Sequence, residues 1–479
     1  MMRRGSFSLK DLPAWCVLND VAFVNVKATD IDGRGLGLVA EKDLTDEGGN
    51  GEIPALLTIP RDLVLSAEGV EEYAKENKDF RQLLDTAGHR STRGDVLLFL
   101  LVQLVLSSPD YKGGLGPATP WTQYFGLLPS HVPTPTMWTE SELSHLKGTS
   151  LEPAVSAKLT ALTKEFDDLR EKAAGLPFWD EIFSIDESIT IQDWILLDAL
   201  YRSRSLGLPQ SGEAMVPCLD LVNHSNEANA YFEENKNGEV VLRLREGCNV
   251  LSGSEITIDY GRDKSPAEML FSYGFVDPGS VARSLVLPLE PLSDDPLAAA
   301  KLRAFGTSPK LKLTEDNNGI AHWTAPFVYL MCLNEEDGLQ FKVLQETDGS
   351  RHLKMFWQDT DITNEPYAII NHIRDHELYP IFELRVITVL LTIFREKYED
   401  LTNSGEGDET PGLARKDIWE AISSLKSIEA DIFEKCIKLL DDEETRLLGD
   451  EIVLKYLNST MPDQNDLAAE AANDEEDFS

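Results

Sequence analysis

The sequence predicts an α+β fold, in which a β-rich core is split by a helical insert and followed by a mainly helical second domain. Short apolar runs separated by Gly, Asp and Pro turns occupy residues 17–65. From 94 to 206 the apolar residues recur at three- and four-residue spacing, which is typical of helices. Strand-like segments return from 230 to 260, and long amphipathic segments follow residue 291. These alternations place the insert between two halves of one domain.

The individual elements follow from the same patterns. We predict strands at 21–26, 37–40, 55–59, 230–232, 240–244 and 255–260. The apolar run 96–106 contains Gln103 and is too short to span a bilayer, so it predicts a buried helix. Long helices are predicted at 378–398 and 417–457.

The chain is therefore expected to comprise five parts. The last part carries seven acidic residues and no basic ones, which is typical of a disordered tail. The parts are a first half of the core at 1–93, the helical insert at 94–206, the second half of the core at 207–290, a helical domain at 291–458, and an acidic tail at 459–479.

The charge balance restricts the class of partner. The 479 residues include 83 acidic and 44 basic ones, a net charge of −39. Phosphate backbones need clustered Lys and Arg, so a nucleic-acid partner is disfavoured and basic protein segments are favoured. The five cysteines form no CxxC pair, which indicates neither a zinc cluster nor a disulfide framework. We expect a monomer without membrane segment, signal peptide or metal, located in the cytoplasm, the nucleus or both.

Three short segments could carry chemistry. The first is Asp32-Gly33-Arg34-Gly35-Leu36-Gly37, whose glycines allow a close backbone approach to a ligand but do not have the dinucleotide spacing. The second is Asp220-Leu221-Val222-Asn223-His224, which suits a tight polar loop. The third runs from Gly253 to Phe275 and contains a predicted strand that ends at Tyr260-Gly261, followed by Ser272-Tyr273-Gly274-Phe275. Taken singly, each segment is also compatible with turns and core aromatics.

In order and spacing, the three segments together resemble the SET-domain methyltransferases, in the branch that contains the Rubisco large-subunit lysine methyltransferase and the actin-histidine methyltransferase. The helical insert is similar too, at Trp121-Thr122-Gln123-Tyr124-Phe125 and Leu146-Lys147-Gly148-Thr149. Beyond residue 291 the chain is similar to that branch's helical substrate-binding domain in position, length and helical character.

The resemblance implies a role for each matching residue. It implies S-adenosylmethionine as the cofactor, with the backbone around Arg34, Gly35, Leu36 and Gly37 along its methionine part. Asn223 and His224 match the pair that holds the cofactor. Tyr260 matches the catalytic tyrosine, and Tyr273 matches a second aromatic residue near cofactor and target amine. Arg204, Leu206 and Asp220 fall where the Rubisco-type enzymes contact the target side chain.

Two positions refine these expectations. Pro266 stands where the family usually has Asn, and because proline is tolerated in the first turn of a helix we expect only a local change. Leu206 offers an apolar wall, which suits the methylene stem of a lysine. A histidine ring would need a polar partner for its second nitrogen, so the sequence favours lysine as the acceptor.

The resemblance thus implies a protein-lysine N-methyltransferase acting on a non-histone protein with a basic lysine-containing segment, such as a ribosomal or translation-related protein. Two alternatives stay open: a protein-histidine methyltransferase of the same fold, and a non-catalytic SET-like scaffold that binds a partner. A metal-dependent hydrolase is disfavoured because His372 and His376 have no evident third ligand.

Overall fold

The computed structural model describes residues 2–45, 54–111, 113, 116, 118–184, 189–277, 279–316, 318–345, 351–403 and 415–460. Within them the chain forms two compact units. The first unit comprises Met1–Ser144, Leu151–Val281 and Ala414–Ala421, and the second comprises His145–Ser150, Ala282–Leu413 and Ile422–Ser479. No helix in the described ranges combines the length and the apolar composition needed to cross a membrane.

The strands of the first unit are short and form several small sheets. They are β1 (Ala22–Phe23), β2 (Val26–Ile31), β3 (Gly35–Ala40), β4 (Leu44–Thr45), β5 (Ala55–Ile59), β6 (Ser205–Leu208), β7 (Gly212–Met215), β8 (Asn223–His224), β9 (Ala230–Glu234), β10 (Val240–Leu244), β11 (Asn249–Val250) and β12 (Glu255–Ile258). One four-stranded sheet has the order β1-β5-β10-β9 and the other has the order β2-β3-β12-β8.

The second of these sheets brings distant parts of the sequence together. β12 pairs antiparallel with β3 and parallel with β8, with Thr257 opposite Asn223 and Ile258 opposite His224. The glycine-rich segment, the Asn-His segment and the strand that leads to Tyr260 therefore lie side by side.

The helices of the first unit cluster in the middle of the chain. They are α1 (Leu12–Leu18), α2 (Ala67–Glu76), α3 (Lys78–Ala87), α4 (Thr92–Ser107), α5 (Pro120–Tyr124), α6 (Glu140–Ser144), α7 (Leu151–Ala173), α8 (Pro177–Ser184), α9 (Ile191–Arg204) and α10 (Pro266–Tyr273). The predicted α+β class, with a β-rich core and a helical insert, is confirmed.

Helix α4 forms the centre of the insert and confirms the predicted buried helix. The Ser91 side chain caps its N-terminus by accepting a hydrogen bond from the Gly94 amide. Every residue from Val96 to Val105 is buried, including Gln103. The Gln103 amide oxygen accepts hydrogen bonds from the hydroxyls of Thr119 and Thr122, which offsets the cost of burying a polar group.

The predicted strand at 21–26 is interrupted, which the apolar pattern alone did not indicate. β1 covers only Ala22–Phe23, because Asn25 has a left-handed φ of +59° that a strand cannot accommodate. The chain resumes an extended conformation at Val26 and continues to Ile31 as β2. The strand predicted at 255–260 ends at Ile258.

The second unit contains two three-stranded antiparallel sheets besides its helices, and none of these strands was predicted. The strands are β13 (Ser284–Pro288), β14 (Lys310–Glu315), β15 (Ala321–Thr324), β16 (Leu339–Gln345), β17 (Arg351–Trp357) and β18 (Thr360–Asp361). The helices are α11 (Ala298–Phe305), α12 (Pro326–Cys332), α13 (Ile369–Ile373), α14 (Tyr379–Asn403), α15 (Lys416–Leu448, from Ile422 onwards in this unit) and α16 (Glu451–Thr460).

The helix predicted at 417–457 is two helices. The chain breaks at Gly449 and Asp450, where the Asp450 carboxylate accepts a hydrogen bond from the Ile452 amide and starts α16. Ser459 and Thr460, assigned to the predicted tail, are the last residues of α16. The rest of the tail, 461–479, lies outside the described residues.

Candidate functional site

The first unit contains a cavity of about 470 Å³ that is lined by five of the predicted site residues. Each comes from a different element. Arg204 ends α9, Leu206 lies in β6, Asp220 lies in a 3-10 helix (Leu219–Leu221), Tyr260 follows β12, and Tyr273 ends α10.

The remaining predicted residues do not line this cavity but lie on two neighbouring segments that are joined by hydrogen bonds. They are Arg34, Gly35, Leu36 and Gly37 at the β2–β3 hairpin and Asn223 and His224 in β8. The Asn223 side-chain amide donates to the Leu36 carbonyl oxygen at 3.3 Å. The Arg34 guanidinium donates to the His224 backbone carbonyl oxygen at 2.5 Å. The hairpin and the Asn-His strand therefore form one polar surface.

A carboxylate from β12 completes this surface. Glu255 accepts hydrogen bonds from the Arg34 guanidinium at 2.5 Å and from the Asn223 amide at 2.8 Å. The Glu255 side chain is 17% exposed, whereas that of Arg34 is 42% exposed. A cation and an anion thus lie adjacent at the edge of the hairpin.

The hairpin glycines meet two different needs. Gly35 has φ +73°, which favours glycine, and a side chain there would meet nothing within 4 Å. At Gly37, in contrast, a Cβ would lie 2.3 Å from the Ile31 side chain and 2.8 Å from the Asn223 amide nitrogen. Gly37 therefore permits close packing against β8, while the hairpin end stays open.

His224 connects the polar surface to Tyr260. Its Nδ1 accepts a hydrogen bond from the Tyr260 backbone amide at 3.1 Å, and its Nε2 lies 3.2 Å from the Asp277 carboxylate. Since Nδ1 is an acceptor here, the ring carries its proton on Nε2 and donates it to Asp277. Both nitrogens are occupied, so the ring orients the backbone at Tyr260.

The Tyr260 ring is packed among aromatic side chains. It lies 4.6 Å from the ring of Tyr273 and 5.2 Å from that of His224, measured between centroids. The Phe275 ring lies 5.9 Å from that of His224. The Lys264 ammonium is 5.5 Å from the centre of the Tyr273 ring and donates to the Tyr260 carbonyl oxygen. These contacts fix both tyrosines at the cavity wall.

The Tyr260 hydroxyl donates a hydrogen bond to the Val222 carbonyl oxygen at 2.8 Å. Burial raises the pKa of Tyr260 above the ordinary tyrosine value, and the nearby Arg204 charge lowers it only in part. The phenol therefore stays protonated at neutral pH and can orient a neighbouring group through its oxygen.

Helix α10 carries Tyr273 and is capped at both ends. Ser265 and Glu268 form a reciprocal capping box at the N-terminus, and Pro266 occupies the first turn. The expectation that Pro266 is accommodated in this turn is confirmed. Gly274 ends the helix with φ +86°, and a Cβ there would lie within 2.7 Å of Pro133.

Asp220 is the most enclosed charged group of the cavity, with a side chain that is only 2% exposed. One carboxylate oxygen, Oδ1, accepts a hydrogen bond from the Tyr124 hydroxyl, which in turn accepts one from the Cys218 amide at 2.7 Å. The other oxygen, Oδ2, is 3.5 Å from Arg204 Nε and has no hydrogen-bond partner among the described residues. Burial raises the pKa of Asp220 above the ordinary carboxyl value.

Several of these groups had no predicted role. Glu255 and Lys264 belong to the third segment of the sequence. Their contacts with Arg34 and Tyr273, however, become evident only in the folded structure. Tyr124 lies 96 residues before Asp220, and nothing in the local sequence indicates their contact.

No cluster of three or more His, Cys, Asp and Glu side chains that could hold a metal occurs in the described part of the chain.

Known proteins show what the chain is similar to. No family model matches it. It is 27% identical to SET domain-containing protein 8 of Schizosaccharomyces pombe over 416 residues. This match covers 84% of this chain and 89% of that protein. It is 27% identical over 349 residues to the Rubisco large-subunit N-methyltransferase of Pisum sativum, covering 69% of this chain and 64% of that enzyme. It is also 24% identical over 298 residues to N-lysine methyltransferase setd6 of Xenopus laevis, covering 57% and 58%.

Solved structures show the same fold. The SET domain of the Rubisco large-subunit methyltransferase bound to lysine and AdoHcy matches with a TM-score of 0.68 at 18% identity, covering 97% of this chain and 98% of that one. The AdoMet complex of the Rubisco enzyme matches with a TM-score of 0.66 at 20% identity, covering 96% and 99%. The chain therefore has the fold of these SET-domain structures, and its sequence is similar to those of SET-domain proteins and N-methyltransferases of the Rubisco large-subunit type.

Proposed function

We propose that this chain is an S-adenosylmethionine-dependent protein-lysine N-methyltransferase acting on a non-histone protein. The observation that carries the proposal is the position of Tyr260. Its hydroxyl and ring lie at the wall of a cavity, while its backbone is held by the imidazole of His224. The related N-methyltransferases of Pisum sativum and Xenopus laevis support the same activity.

The residues beside the cavity fit S-adenosylmethionine. Its amino-acid part carries one carboxylate and one ammonium, and the adjacent Arg34 and Glu255 offer a group of opposite charge to each. The open end of the hairpin at Gly35 leaves room for a ligand. Asn223, His224 and the hairpin backbone would hold the cofactor, next to the wall formed by Tyr260 and Tyr273.

S-adenosylmethionine, when bound, supplies a methyl group on a cationic sulfonium to a nucleophile. The residues of this chain would position the nucleophile: the Tyr260 hydroxyl orients the target amine, and Tyr273 encloses it. The amine must be neutral to react, whereas the unperturbed pKa of lysine is about 10.4. Enclosure in the cavity lowers the pKa of the amine by desolvation, and most of the acceleration comes from positioning.

The lining of the cavity favours lysine over histidine. Leu206 in β6 lies in the wall together with Val222 and Ile258, which gives an apolar surface for a methylene stem. A neutral imidazole would require a polar partner for its second nitrogen, and Leu206 offers none.

The substrate proposal rests on charge. A net charge of −39 favours a protein with a basic, lysine-containing segment, such as a ribosomal or translation-related protein. We assign recruitment of that protein to residues 291–458, and we place the enzyme, as a monomer, in the cytoplasm, the nucleus or both.

Calorimetric titration with S-adenosylmethionine tests the cofactor assignment. We expect wild-type protein to bind, and we expect Asn223→Ala to raise the Kd at least about tenfold, because the amide that joins Leu36 and Glu255 is lost. Asn237→Ala, the same exchange at an exposed turn, serves as the control and should bind as wild type does. Wild-type protein that fails to bind the cofactor would contradict the proposal and leave the non-catalytic scaffold in its place.

A further inference from the structure

We propose that Asp220 is the proton acceptor of this site and takes one proton from the ammonium group of the target lysine before methyl transfer. The inference rests on the proposed function and adds a catalytic residue to it. It starts from the position of the carboxylate in the wall of the cavity and from its one oxygen without a hydrogen-bond partner.

The geometry leaves one oxygen of Asp220 available for a ligand. Oδ1 is held by the Tyr124 hydroxyl, which is itself fixed by the Cys218 amide. Oδ2 is buried and lies 3.5 Å from Arg204 Nε, an ion-pair distance, but it accepts no hydrogen bond from any described residue. A buried polar atom without a hydrogen bond is destabilising, so a donor that enters the cavity and reaches Oδ2 is favoured. A lysine ammonium is such a donor.

The other ionisable groups of the cavity are less suited to this role. Asp259 also lines the cavity, but its two oxygens accept hydrogen bonds from the Gly261 amide at 2.8 Å and from Arg262 Nε at 3.1 Å. Glu213 lines it as well and is exposed to solvent. Tyr260 is a phenol whose pKa is raised by burial, so it is not ionised at neutral pH. Asp220 is the lining carboxylate that is both enclosed and incompletely hydrogen-bonded.

The charged and titratable groups around Asp220 tune its basicity in opposite directions. Burial raises its pKa, which makes it a stronger base than an exposed carboxylate. The Arg204 charge from α9, the Tyr124 hydroxyl from α5 and the Cys218 amide lower the pKa and keep the carboxylate available in its ionised form. Tyr260, after β12, faces the same carboxylate as a neutral phenol. A carboxylate whose pKa is raised by burial is better suited to general base catalysis near neutral pH than an exposed one.

The proton transfer is balanced within the cavity. An N–H bond of the lysine ammonium breaks, an O–H bond forms at Oδ2, and the freed electron pair stays on nitrogen. The pair changes from two charges to two neutral groups, which burial of the Asp220 side chain favours because buried charges lose their hydration. The lone pair is then available to attack the methyl group, and Asp220 later returns its proton to water.

The pH dependence of methyl transfer tests this assignment. The probe is the initial rate of labelled-methyl transfer from S-adenosylmethionine to the proteins of a cell extract, from about pH 6 to about pH 10. For wild-type protein we expect the rate to rise through the pKa of Asp220 and then to level off. For Asp220→Asn we expect a loss of about 100-fold near pH 7 and a continued rise of about tenfold per pH unit, because only lysine already neutral in solution can react.

Two further variants separate this role from a structural one. Tyr124→Phe keeps the carboxylate but removes a hydrogen bond that lowers its pKa, so the rising limb should move to higher pH and still reach a plateau. Asp85→Asn removes one negative charge on the exposed face of α3 and should reproduce the wild-type profile. S-adenosylmethionine binding by each variant, measured in the same buffers, reports whether the fold is intact.

The outcomes are distinguishable. Asp220→Asn that binds the cofactor yet keeps the wild-type pH profile would overturn the role of Asp220, while methyl transfer by wild-type protein would still uphold the proposed function. If Asp220→Asn does not bind the cofactor, the pH profile of Tyr124→Phe is the deciding result. A rising limb at the same pH as in wild-type protein would overturn the inference. Wild-type protein without transfer or binding would overturn the proposed function itself.

Discussion

At the scale of single residues, Arg34 makes the most informative contact. Its guanidinium bridges the Glu255 carboxylate and the His224 backbone carbonyl oxygen, and so it joins the glycine-rich hairpin to β12 and β8. Bidentate contacts of this kind depend on the planar fork of arginine, which lysine lacks. The resemblance implied only a backbone role here, whereas the structure places the side chain on the same polar surface.

We predict that Arg34→Ala raises the Kd for S-adenosylmethionine about tenfold, which corresponds to roughly 1.4 kcal/mol of binding free energy. The reason is that the variant removes both the cation and the contact that holds the hairpin against β8. Calorimetric titration measures the change. Arg243→Ala, which removes the same charge from β10, should bind like wild type. Unchanged affinity of Arg34→Ala would show that the bridge does not contribute to cofactor binding.

The residues of the site were predictable to the extent that they stand in contiguous segments. Asn223, His224, Tyr260 and Tyr273 could be named because their spacing along the chain is informative, and their roles stay predictions. The bond between Tyr124 and Asp220 and the missing partner of Asp220 Oδ2 could not be foreseen. Both depend on how α5 packs against the loop before β8, which no local pattern encodes.

At the scale of elements, patterns of apolar residues predicted helices better than strands. α4 was predicted because ten consecutive buried residues leave a strong signal. β1 and β2 were merged because a single left-handed residue, Asn25, interrupts a run that is apolar on both sides. The six strands β13 to β18 of the second unit were not predicted. In a strand such as β16 only one residue is buried, so its sequence shows little apolar alternation.

Helix α15 contains a buried carboxylate whose ionisation affects stability. Glu429 is 2% exposed and accepts hydrogen bonds from the Ser150 amide at 2.9 Å and from the Ser150 hydroxyl. Burial raises the pKa of Glu429 from 4.5 to about 7, although the bonds from Ser150 lower it in part. The folded state therefore binds this proton more tightly than the unfolded state. The resulting stability is fully present below about pH 4.5 and is lost as the pH rises to about 7.

We predict that Glu429→Gln gains stability relative to wild type by roughly 1 kcal/mol per pH unit between about pH 4.5 and pH 7, and that the difference then stays constant. Urea unfolding followed by tryptophan fluorescence measures this difference. Glu142→Gln is the matched control: hydrogen bonds from Arg415 and Thr139 outweigh burial and lower the pKa of Glu142 to about 2, so its difference from wild type should be flat over that range. A flat difference for Glu429→Gln would mean that Glu429 is ionised in the folded state.

At the scale of the whole molecule, we expect the excess of acidic residues to favour encounter with a basic substrate protein. A net charge of −39 creates a long-range field that attracts basic proteins and is screened by salt. This property could be predicted from composition alone. The identity of the substrate could not, because it depends on side chains of a partner that the composition does not specify.

We predict that kcat/KM for a basic protein acceptor falls roughly tenfold when NaCl is raised from about 50 mM to about 300 mM. The affinity for S-adenosylmethionine, which carries only one net positive charge, should change much less over the same range. Initial-rate and calorimetric measurements in the same buffers make the comparison. A salt-independent kcat/KM would show that the acidic surface takes no part in recruitment.

We propose that Tyr260 stands at a site that methylates lysine side chains. The most direct measurement is mass spectrometry of extract proteins after incubation with labelled S-adenosylmethionine and either wild-type protein or Tyr260→Phe. We predict labelled methyl groups on lysine side chains with wild-type protein, and a loss of about 100-fold or more with a Tyr260→Phe variant that still binds the cofactor, because the orienting hydroxyl at the cavity wall is gone. Label on histidine instead of lysine, no label with wild-type protein, or undiminished labelling by Tyr260→Phe would contradict the account.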